Sequence, residues 1–447
     1  MTEVTGTLPH LKRSLKLWHL LVYGIIIIQP TAPMSIFGVV SNEARGHVVT
    51  AILISMVAML FTALSYGRMA RVYPSAGSAY TYVGKTLNPM LGYLVGWSML
   101  MDYVLNPIIC AIWCSAAAQN IFPLVPYAVW VMLFVGVFTG LNLRGVNTSA
   151  KVNAWLALGL SLVVLIFLFY AVRYVLHVVH PSPAEWLRPF YDRATFAPSL
   201  LFRGTSIAVL TYIGFDGIST LSEEVENPRR NILLATVLTC LIIGLLSAVE
   251  VYAAQLAWPA RVAFPDSMVD TAFVHVAMRV GGRYLFHLLN LALLIANMGS
   301  GTAAQAGAAR LLYGMGRGNA LPPRFFAAVD PKTQIPRNNV LLLGACTLAG
   351  AFVLSFAEGA ELLNFGAFIA FMGVNAAAFV HYKVRRQDKA VLPGAAPLLG
   401  FLVCGFIWLN LGHRAQLLGI LWLVVGLTLY WVRGRGQQTV TPGFDPG

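Results

Sequence analysis

An aspartate lies between two glycines directly after an apolar stretch, in the sequence YIGFDGISTLSEEVENPRR at residues 212–230. This residue is Asp216, and Gly214 and Gly217 beside it both weaken a helix. A carboxylate in an apolar segment is costly unless it faces a polar cavity, water or a cation. Asp216 is therefore a candidate for two kinds of chemistry, which are holding a cationic ligand and carrying a proton.

Two further acids fall inside apolar runs. Asp102 lies in MLMDYVLNPI, where Asn106 and Pro107 follow one turn later and a helix defect would expose the carboxylate; a structural hydrogen bond to a neighbouring helix is the alternative. Glu250 lies in LSAVEVYAAQ. It can carry a proton, because burial favours the neutral carboxyl, or it can pair with Arg203, and the sequence leaves both open.

Enzymatic motifs are absent from the sequence. It contains no His-Glu-x-x-His pair, no nucleophile elbow and no Walker loop. The glycines of GMGRGN do not follow a strand, so they predict a helix end rather than a phosphate loop. The five cysteines predict free thiols. We expect no catalytic residue, no metal and no cofactor, and a protein that is not an enzyme.

Long apolar runs must position these acids. Of 447 residues, 58% are hydrophobic and 11% are charged, whereas ordinary globular domains contain about 25% charged residues. Full-length runs have about 20 residues, which is enough to cross a bilayer as a helix. The sequence predicts an all-α membrane protein with twelve transmembrane helices, at 18–42, 47–67, 88–118, 125–143, 152–179, 198–222, 231–257, 283–315, 338–357, 360–382, 395–411 and 414–432.

The charge distribution predicts the orientation. The formal charge is +13, and 21 of the 30 lysine and arginine residues fall on the face that carries both termini. The positive-inside rule places both termini in the cytoplasm of a multi-pass cell-membrane protein. Residues 1–17 precede an apolar segment that is too long for a signal peptide, so no processing is expected. Nucleic acid is not an expected partner.

Two predicted spans carry helix breakers at similar depth. The first, HLLVYGIIIIQPTAPMSIFGVVS, has Pro30 and Pro33 in its middle, and the sixth, LLFRGTSIAVLTYIGFDGISTLSEE, has Gly214 and Gly217. Unwound backbone at membrane depth is tolerated where it lines a cavity. Both spans are therefore predicted to be interrupted at a central site; a proline kink with packing glycines is the simpler alternative.

Two basic connections rich in glycine and proline, at 66–89 and 313–339, become equivalent if spans 1–5 and 6–10 form two halves. Five spans in each half force opposite membrane orientations, which is an inverted repeat. The predicted division is a cytoplasmic tail at 1–17, one domain at 18–433 and a cytoplasmic tail at 434–447. Within the domain, the repeats are 18–179 and 198–382, followed by two helices at 395–432.

The motifs FTALSYG, GSAYTY, VGWSMLMDY, GFDGISTLSEE and LLNFGAFIAF resemble those of the amino acid–polyamine–organocation permeases, and most closely the putrescine-importer-like branch. The similarity runs from about Lys12 to Arg433. It implies a five-plus-five inverted repeat with discontinuous helices 1 and 6, alternating access, and uptake of amino acids or polyamines driven by a proton gradient.

Two features depart from the family pattern. QPTAPMSIFG has two prolines where many amino-acid members carry a Gly-x-Gly run for the substrate carboxylate. VNAWLALGLSLVVL lacks the lysine that stands in for a sodium ion in some proton-coupled members, since Lys151 lies at the helix mouth. The first departure weakens the prediction of a carboxylate-bearing substrate, and the second leaves the proton carrier open.

The predicted roles follow from these positions. Asp102 and Asp216 form a cation site, because a diamine has two ammonium groups and no carboxylate. The proton-coupling candidates are Asp216 and Glu250. The predicted substrate-binding residues are Thr31, Ala32, Met34, Ser35, Asp102, Tyr103, Tyr212, Gly214, Phe215, Asp216 and Asn297. The predicted inner gate pairs Glu223 and Glu224 with Arg68 or Lys85, a solvated charge run being the alternative.

The predicted function is import of a polyamine, such as putrescine, or a related organic cation by a proton-coupled symporter. The main alternative is an amino-acid permease of the same superfamily, and the alternative from another class is a membrane receptor or scaffold. The expected partners are a small-molecule substrate, protons and the lipid bilayer. The oligomeric state and the choice between uptake and exchange stay open.

Overall fold

A computed structural model describes residues 15–74, 78–144, 150–222, 224–258, 263–317, 321–331, 333, 335–386 and 392–434. These residues form α-helices and no strand. The helices are α1 (Leu17–Ile28), α2 (Ala32–Glu43), α3 (Val48–Val72), α4 (Ser78–Thr86), α5 (Pro89–Ile121), α6 (Tyr127–Leu143), α7 (Ala150–Tyr174), α8 (Pro183–Leu187), α9 (Pro198–Ala208), α10 (Gly217–Thr220), α11 (Pro228–Ala257), α12 (Ala272–Arg317), α13 (Pro323–Phe326), α14 (Arg337–Val353), α15 (Phe356–Phe379), α16 (Leu392–Leu409) and α17 (His413–Gly434). Short 3-10 turns occur at Val209–Tyr212 and Val269–Thr271, and π-helical turns at Val175–Val179 and Val380–Arg385.

Seven of the described helices are long and apolar enough to cross a membrane, namely α3, α5, α7, α11, α12, α15 and α17. The pair α1 and α2, bent by 46°, makes an eighth candidate span. Three shorter apolar helices, α6, α14 and α16, accompany them. The prediction of an all-helical, multi-pass membrane protein is confirmed at this level.

The outer surface carries apolar side chains at helical spacing. On α7, Leu158, Leu162, Leu165 and Phe169 are each more than half exposed. A continuous stripe of this kind is unfavourable in water and favourable against lipid chains. The central helices α3, α5, α11 and α15 instead bury much of their surface against one another.

The first span is interrupted at its prolines. The α1 helix ends at Ile28, Gln29 adopts a positive φ of 69°, and α2 begins at Ala32. Pro30 cannot donate a backbone hydrogen bond, and Pro33 lies in the first turn of α2, where a missing N–H group is tolerated. The two halves are therefore separate helices that share one short unwound segment.

The sixth span is interrupted as well. The α9 helix ends at Ala208, a 3-10 turn continues to Tyr212, and a single helical turn, α10, begins at Gly217. Gly214 has a φ of +114°, a backbone conformation that residues with a Cβ atom rarely adopt. The glycine thus permits the chain to leave the helix at this level.

The segment before α1 is attached to the segment after α10. The Leu15 N–H group donates to the Glu224 carbonyl at 3.1 Å, and the Glu226 N–H group donates to the Leu15 carbonyl at 2.9 Å. This backbone pairing joins the ends of the two interrupted spans that lie on the side of the N-terminal tail.

Candidate functional site

Asp216 lies in the unwound part of the sixth span. Its carboxylate lies close to the backbone N–H groups of Asp216, Gly214 and Gly217. Its own carbonyl accepts hydrogen bonds from the Ser219 N–H group at 2.9 Å and the Ser219 hydroxyl at 2.6 Å. The side chain is partly accessible and forms no ion pair with any residue that the structure describes. The carboxylate thus lies among backbone amides, and no basic side chain within the described residues pairs with it.

The second acid, Asp102 on α5, lies close enough for its charge to interact with that of Asp216. Asp102 is partly accessible and, across the described ranges, it also has no ion-pair partner. The phenol of Tyr103 interacts electrostatically with both acids and with Tyr23 of α1. The fold therefore brings two carboxylates and two phenols from three elements to one place.

Tyr103 faces another helix rather than lipid. The side chain is 40% exposed, yet a Cβ atom added to Gly307 on α12 would lie 2.9 Å from its Cε1 atom. The ring therefore lies in the cleft between α5 and α12. About one turn further along α5, the Asn106 Oδ1 atom accepts a hydrogen bond from the Ser300 hydroxyl at 3.2 Å. These contacts give the cleft a polar wall on the α5 side.

The break in the first span is anchored to α12. The Gln29 side-chain amide donates to the Ala296 carbonyl at 3.3 Å, and the Asn297 side-chain amide donates to the Ser35 hydroxyl at 3.3 Å. Two predicted site residues, Ser35 and Asn297, are thus in direct contact. Of the others in this segment, Thr31 and Met34 are buried, and Ala32 is partly accessible.

Two aromatic residues predicted to bind substrate are fully buried. The Tyr212 hydroxyl donates to the Ile52 carbonyl at 2.9 Å. The Phe215 ring packs against Tyr66 and Phe371, with centroids 5.5 and 5.4 Å away. Large rings in such contacts hold the unwound segment in place. The structure therefore brings Asp102, Asp216 and Tyr103 together, and surrounds Tyr212 and Phe215 with core residues.

The alternative in which Glu250 pairs with Arg203 is wrong. The Arg203 Nε atom lies 3.1 Å from a Glu43 carboxylate oxygen and 3.8 Å from one of Glu361. These contacts join α9 to the end of α2 and to α15. Glu250 is completely buried, and neither of its oxygens has a hydrogen-bond partner among the described residues.

One residue of the predicted inner gate, Glu223, lies outside the described residues. The Lys85 ammonium lies over the Tyr73 ring, 5.7 Å from its centroid, and the Arg68 carbonyl accepts a hydrogen bond from the Tyr382 hydroxyl at 3.2 Å. Glu224 interacts electrostatically with Tyr23. An ion pair that closes this face stays a prediction.

The sequence analysis missed Tyr23 as a site residue. Its phenol lies close to Asp216, Glu224 and Thr220. Tyr23 lies two helical turns before Pro30, so it belongs to the half of the first span that reaches the break from the N-terminal side. A search for polar groups within two turns of each break would have found it.

A family model described as amino acid permease matches residues 19–442. The chain belongs to the amino acid permease family. The low-affinity putrescine importer PlaP of Escherichia coli strain K12 is 34% identical over 444 residues, which cover 97% of this chain and 96% of that protein. The branched-chain amino acid permease BcaP of Bacillus subtilis is 25% identical, covering 95% and 94% of the two chains. Human cationic amino acid transporter 4 is 24% identical, covering 86% and 62%.

Membership of the amino acid permease family confirms the resemblance inferred from the motifs. It also confirms that the protein is a transporter rather than an enzyme, and that its substrate is a small molecule.

Proposed function

We propose that the protein imports a polyamine, such as putrescine, or a related organic cation across the cell membrane. The observation that carries the proposal is the pair Asp102 and Asp216, which interact with each other and have no basic partner among the described residues. Two neighbouring carboxylates repel each other unless a cation or protons neutralise them. A diamine supplies two ammonium groups and no competing carboxylate. The similarity to a putrescine importer over nearly the whole chain supports the same substrate class.

The proposed architecture has twelve spans in a five-plus-five inverted repeat, with residues 18–179 and 198–382 as the two halves and 395–432 as the last two helices. The three shorter apolar helices and the interrupted sixth span complete the number of twelve. Both termini are cytoplasmic in this proposal, as the basic residues indicate. Tails at 1–17 and 434–447 flank the single transporter domain.

In the proposed cycle, Asp102, Asp216 and Tyr103 contact the cation, and Ser35 and Asn297 form the wall between the first span and α12. Thr31, Ala32, Met34 and Gly214 contribute the backbone and side chains of the two breaks, and Tyr212 and Phe215 hold the sixth span against the core. Protons drive alternating access, with Asp216 and Glu250 as the candidate carriers. The proposed inner gate is Glu223 or Glu224 with Arg68 or Lys85.

Uptake of labelled putrescine by cells expressing Asp102→Asn or Asp216→Asn tests the site. Each change keeps the side-chain shape and removes a charge worth about 1–4 kcal/mol to a bound ammonium at effective dielectric constants between those of water and the protein surface. We expect initial uptake at low substrate concentration to fall at least about fivefold. The exposed loop residue Asp266 supplies the matched control, Asp266→Asn. Wild-type uptake by both site variants, at equal amounts in the membrane, rejects the cation site.

An amino-acid permease is the second candidate, because the relatives named above include permeases of branched-chain and cationic amino acids. The carboxylate of an amino acid would need free amides at the breaks, whereas the Gly217 N–H group already donates to the Gly214 carbonyl at 3.0 Å. A competition panel against labelled putrescine separates the two proposals. Stronger inhibition by leucine, arginine or alanine than by unlabelled putrescine or cadaverine favours the amino-acid permease.

A further inference from the structure

Glu250 has the surroundings of a proton-binding group. It lies on α11 with an exposure of 0%, and neither carboxylate oxygen has a hydrogen-bond partner within the described residues. An ionised carboxylate in such a place lacks both water and a counter-charge, and burying an unpaired charge is strongly unfavourable. The neutral, protonated carboxyl avoids that cost.

Two buried hydroxyl groups, those of Ser247 and Thr239, lie on α11 between Glu250 and the start of the helix. Ser247 lies one turn before Glu250 on α11, and Thr239 lies on the same helix beside Gly24 of α1. Both side chains are fully buried, and neither hydroxyl has a hydrogen-bond partner among the described residues. Buried hydroxyls without a protein partner are ordinarily bonded to ordered water. Residues three or four apart share a helix face, so Ser247 and Glu250 are neighbours.

The position of Glu250 along α11 separates it from the acid pair. The Cys240 thiol interacts electrostatically with Asp216, and Glu250 lies ten residues further along the same helix. Ten residues correspond to about 15 Å along a helix axis. Glu250 is also only seven residues from the helix end at Ala257, which lies on the side opposite the N terminus. It therefore lies between that side and the Asp216 site.

We propose that Glu250, and not Asp216, carries the coupled proton, and that Ser247 and Thr239 are positioning residues on a hydrated path toward the unwound sixth span. The proposal rests on the proposed function and deepens it, because it separates the proton site from the cation site. Protonation of Glu250 from the outside, followed by release of that proton toward the cytoplasm, would link each transport cycle to the proton gradient.

Among the described residues, Glu250 forms no ion pair and no hydrogen bond with another titratable group. The titratable and charged residues of α11 and of the elements that pack against it are His19 and Tyr23 of α1, Glu43 of α2, Tyr66, Arg68 and Arg71 of α3, Tyr170, Arg173 and Tyr174 of α7, His177 of the π-helical turn, Tyr212 of the 3-10 turn, Arg229, Arg230, Cys240 and Tyr252 of α11, and His275, Arg279, Arg283, Tyr284, His287, Arg310 and Tyr313 of α12.

Proteoliposomes that contain the purified protein test this assignment. Two quantities are measured with labelled putrescine: counterflow at equal pH on both sides, and accumulation driven by a pH gradient that is acid outside. With a gradient of about one pH unit, one coupled proton can raise accumulation about tenfold. For Glu250→Gln, we therefore expect the ratio of driven accumulation to counterflow to fall by about that factor. Ser247→Ala should lower the ratio less, and Glu250→Asp should restore part of it.

Glu185 supplies the matched control, because it lies in the exposed helix α8 and Glu185→Gln should keep the wild-type ratio. A wild-type ratio in Glu250→Gln overturns the proposal, and so does a loss of counterflow that equals the loss of accumulation. If the Gln variant does not fold, the wild-type protein provides the test. Dicyclohexylcarbodiimide, which reacts with protonated carboxyl groups in apolar surroundings, should label Glu250 in mass spectra and abolish driven accumulation. Full accumulation with complete labelling overturns the proposal. Putrescine counterflow by the wild-type protein tests the proposed function separately.

Discussion

Gly214→Ala tests whether the sixth span must be unwound for transport. Gly214 has a φ of +114°, and an alanine there would be strained by about 1–2 kcal/mol. Its Cβ atom would also collide with the Cγ2 atom of Ile27 on α1, and overpacking of this kind costs about 1–3 kcal/mol. Both effects act on the conformation that presents Asp216. A total of about 2–5 kcal/mol would lower the population of that conformation by at least about thirtyfold.

The assay is initial putrescine uptake, normalised to the amount of protein in the membrane, together with the thermal midpoint of the purified protein. Gly217→Ala is the matched control, because its Cβ atom would lie at an ordinary 3.4 Å from the Ile27 Cδ1 atom. We expect a much smaller loss for this control. The double variant Gly214→Ala/Ile27→Ala removes the collision and leaves the backbone strain, so it should recover part of the activity. Equal uptake by Gly214→Ala and Gly217→Ala would refute the reasoning.

Two further predictions concern residues that connect the breaks to their surroundings. Arg203→Gln leaves the buried Glu361 without its basic partner and should lower the free energy of unfolding by about 1–2 kcal/mol. Arg414→Gln breaks an exposed pair and should lower it by less than about 0.5 kcal/mol. Chemical denaturation in detergent measures both values. Equal losses of unfolding free energy in the two variants would show that the Arg203 ion pairs stabilise the fold no more than an exposed pair does. Tyr23→Phe removes a phenol beside Asp216 and should weaken putrescine affinity about fivefold by isothermal titration, while the exposed Tyr284→Phe should have no effect. Unchanged affinity in the Tyr23 variant would remove it from the site.

The positions of the two breaks could be predicted from the sequence because their causes are local. Pro30 lacks a backbone donor whatever surrounds it, and Gly214 permits a backbone conformation that other residues avoid. Acids inside apolar runs are equally visible, since an ionised group in a membrane needs a polar environment. The candidate site is therefore predictable to the level of its segments and its carboxylates.

The orientation of side chains at the breaks could not be predicted. An unwound segment has no helical periodicity, so nothing in the sequence says that Phe215 points into the core while Asp216 beside it stays partly accessible. Long-range pairing is similarly hidden. Arg203 is 160 residues from Glu43 and 158 residues from Glu361, and only the packing of three helices decides that it meets these two acids rather than Glu250.

The backbone pairing of Leu15 with Glu224 and Glu226 has a mechanical consequence. It joins the chain just before the N-terminal end of α1 to the chain just beyond α10. Each of these two helices is connected at its other end to an unwound segment, at Gln29–Thr31 and at Gly214. Because of these hydrogen bonds, movements of α1 and α10 are coupled. We therefore expect a tilt of α1 about Gln29–Thr31 to be accompanied by a movement of α10 about Gly214.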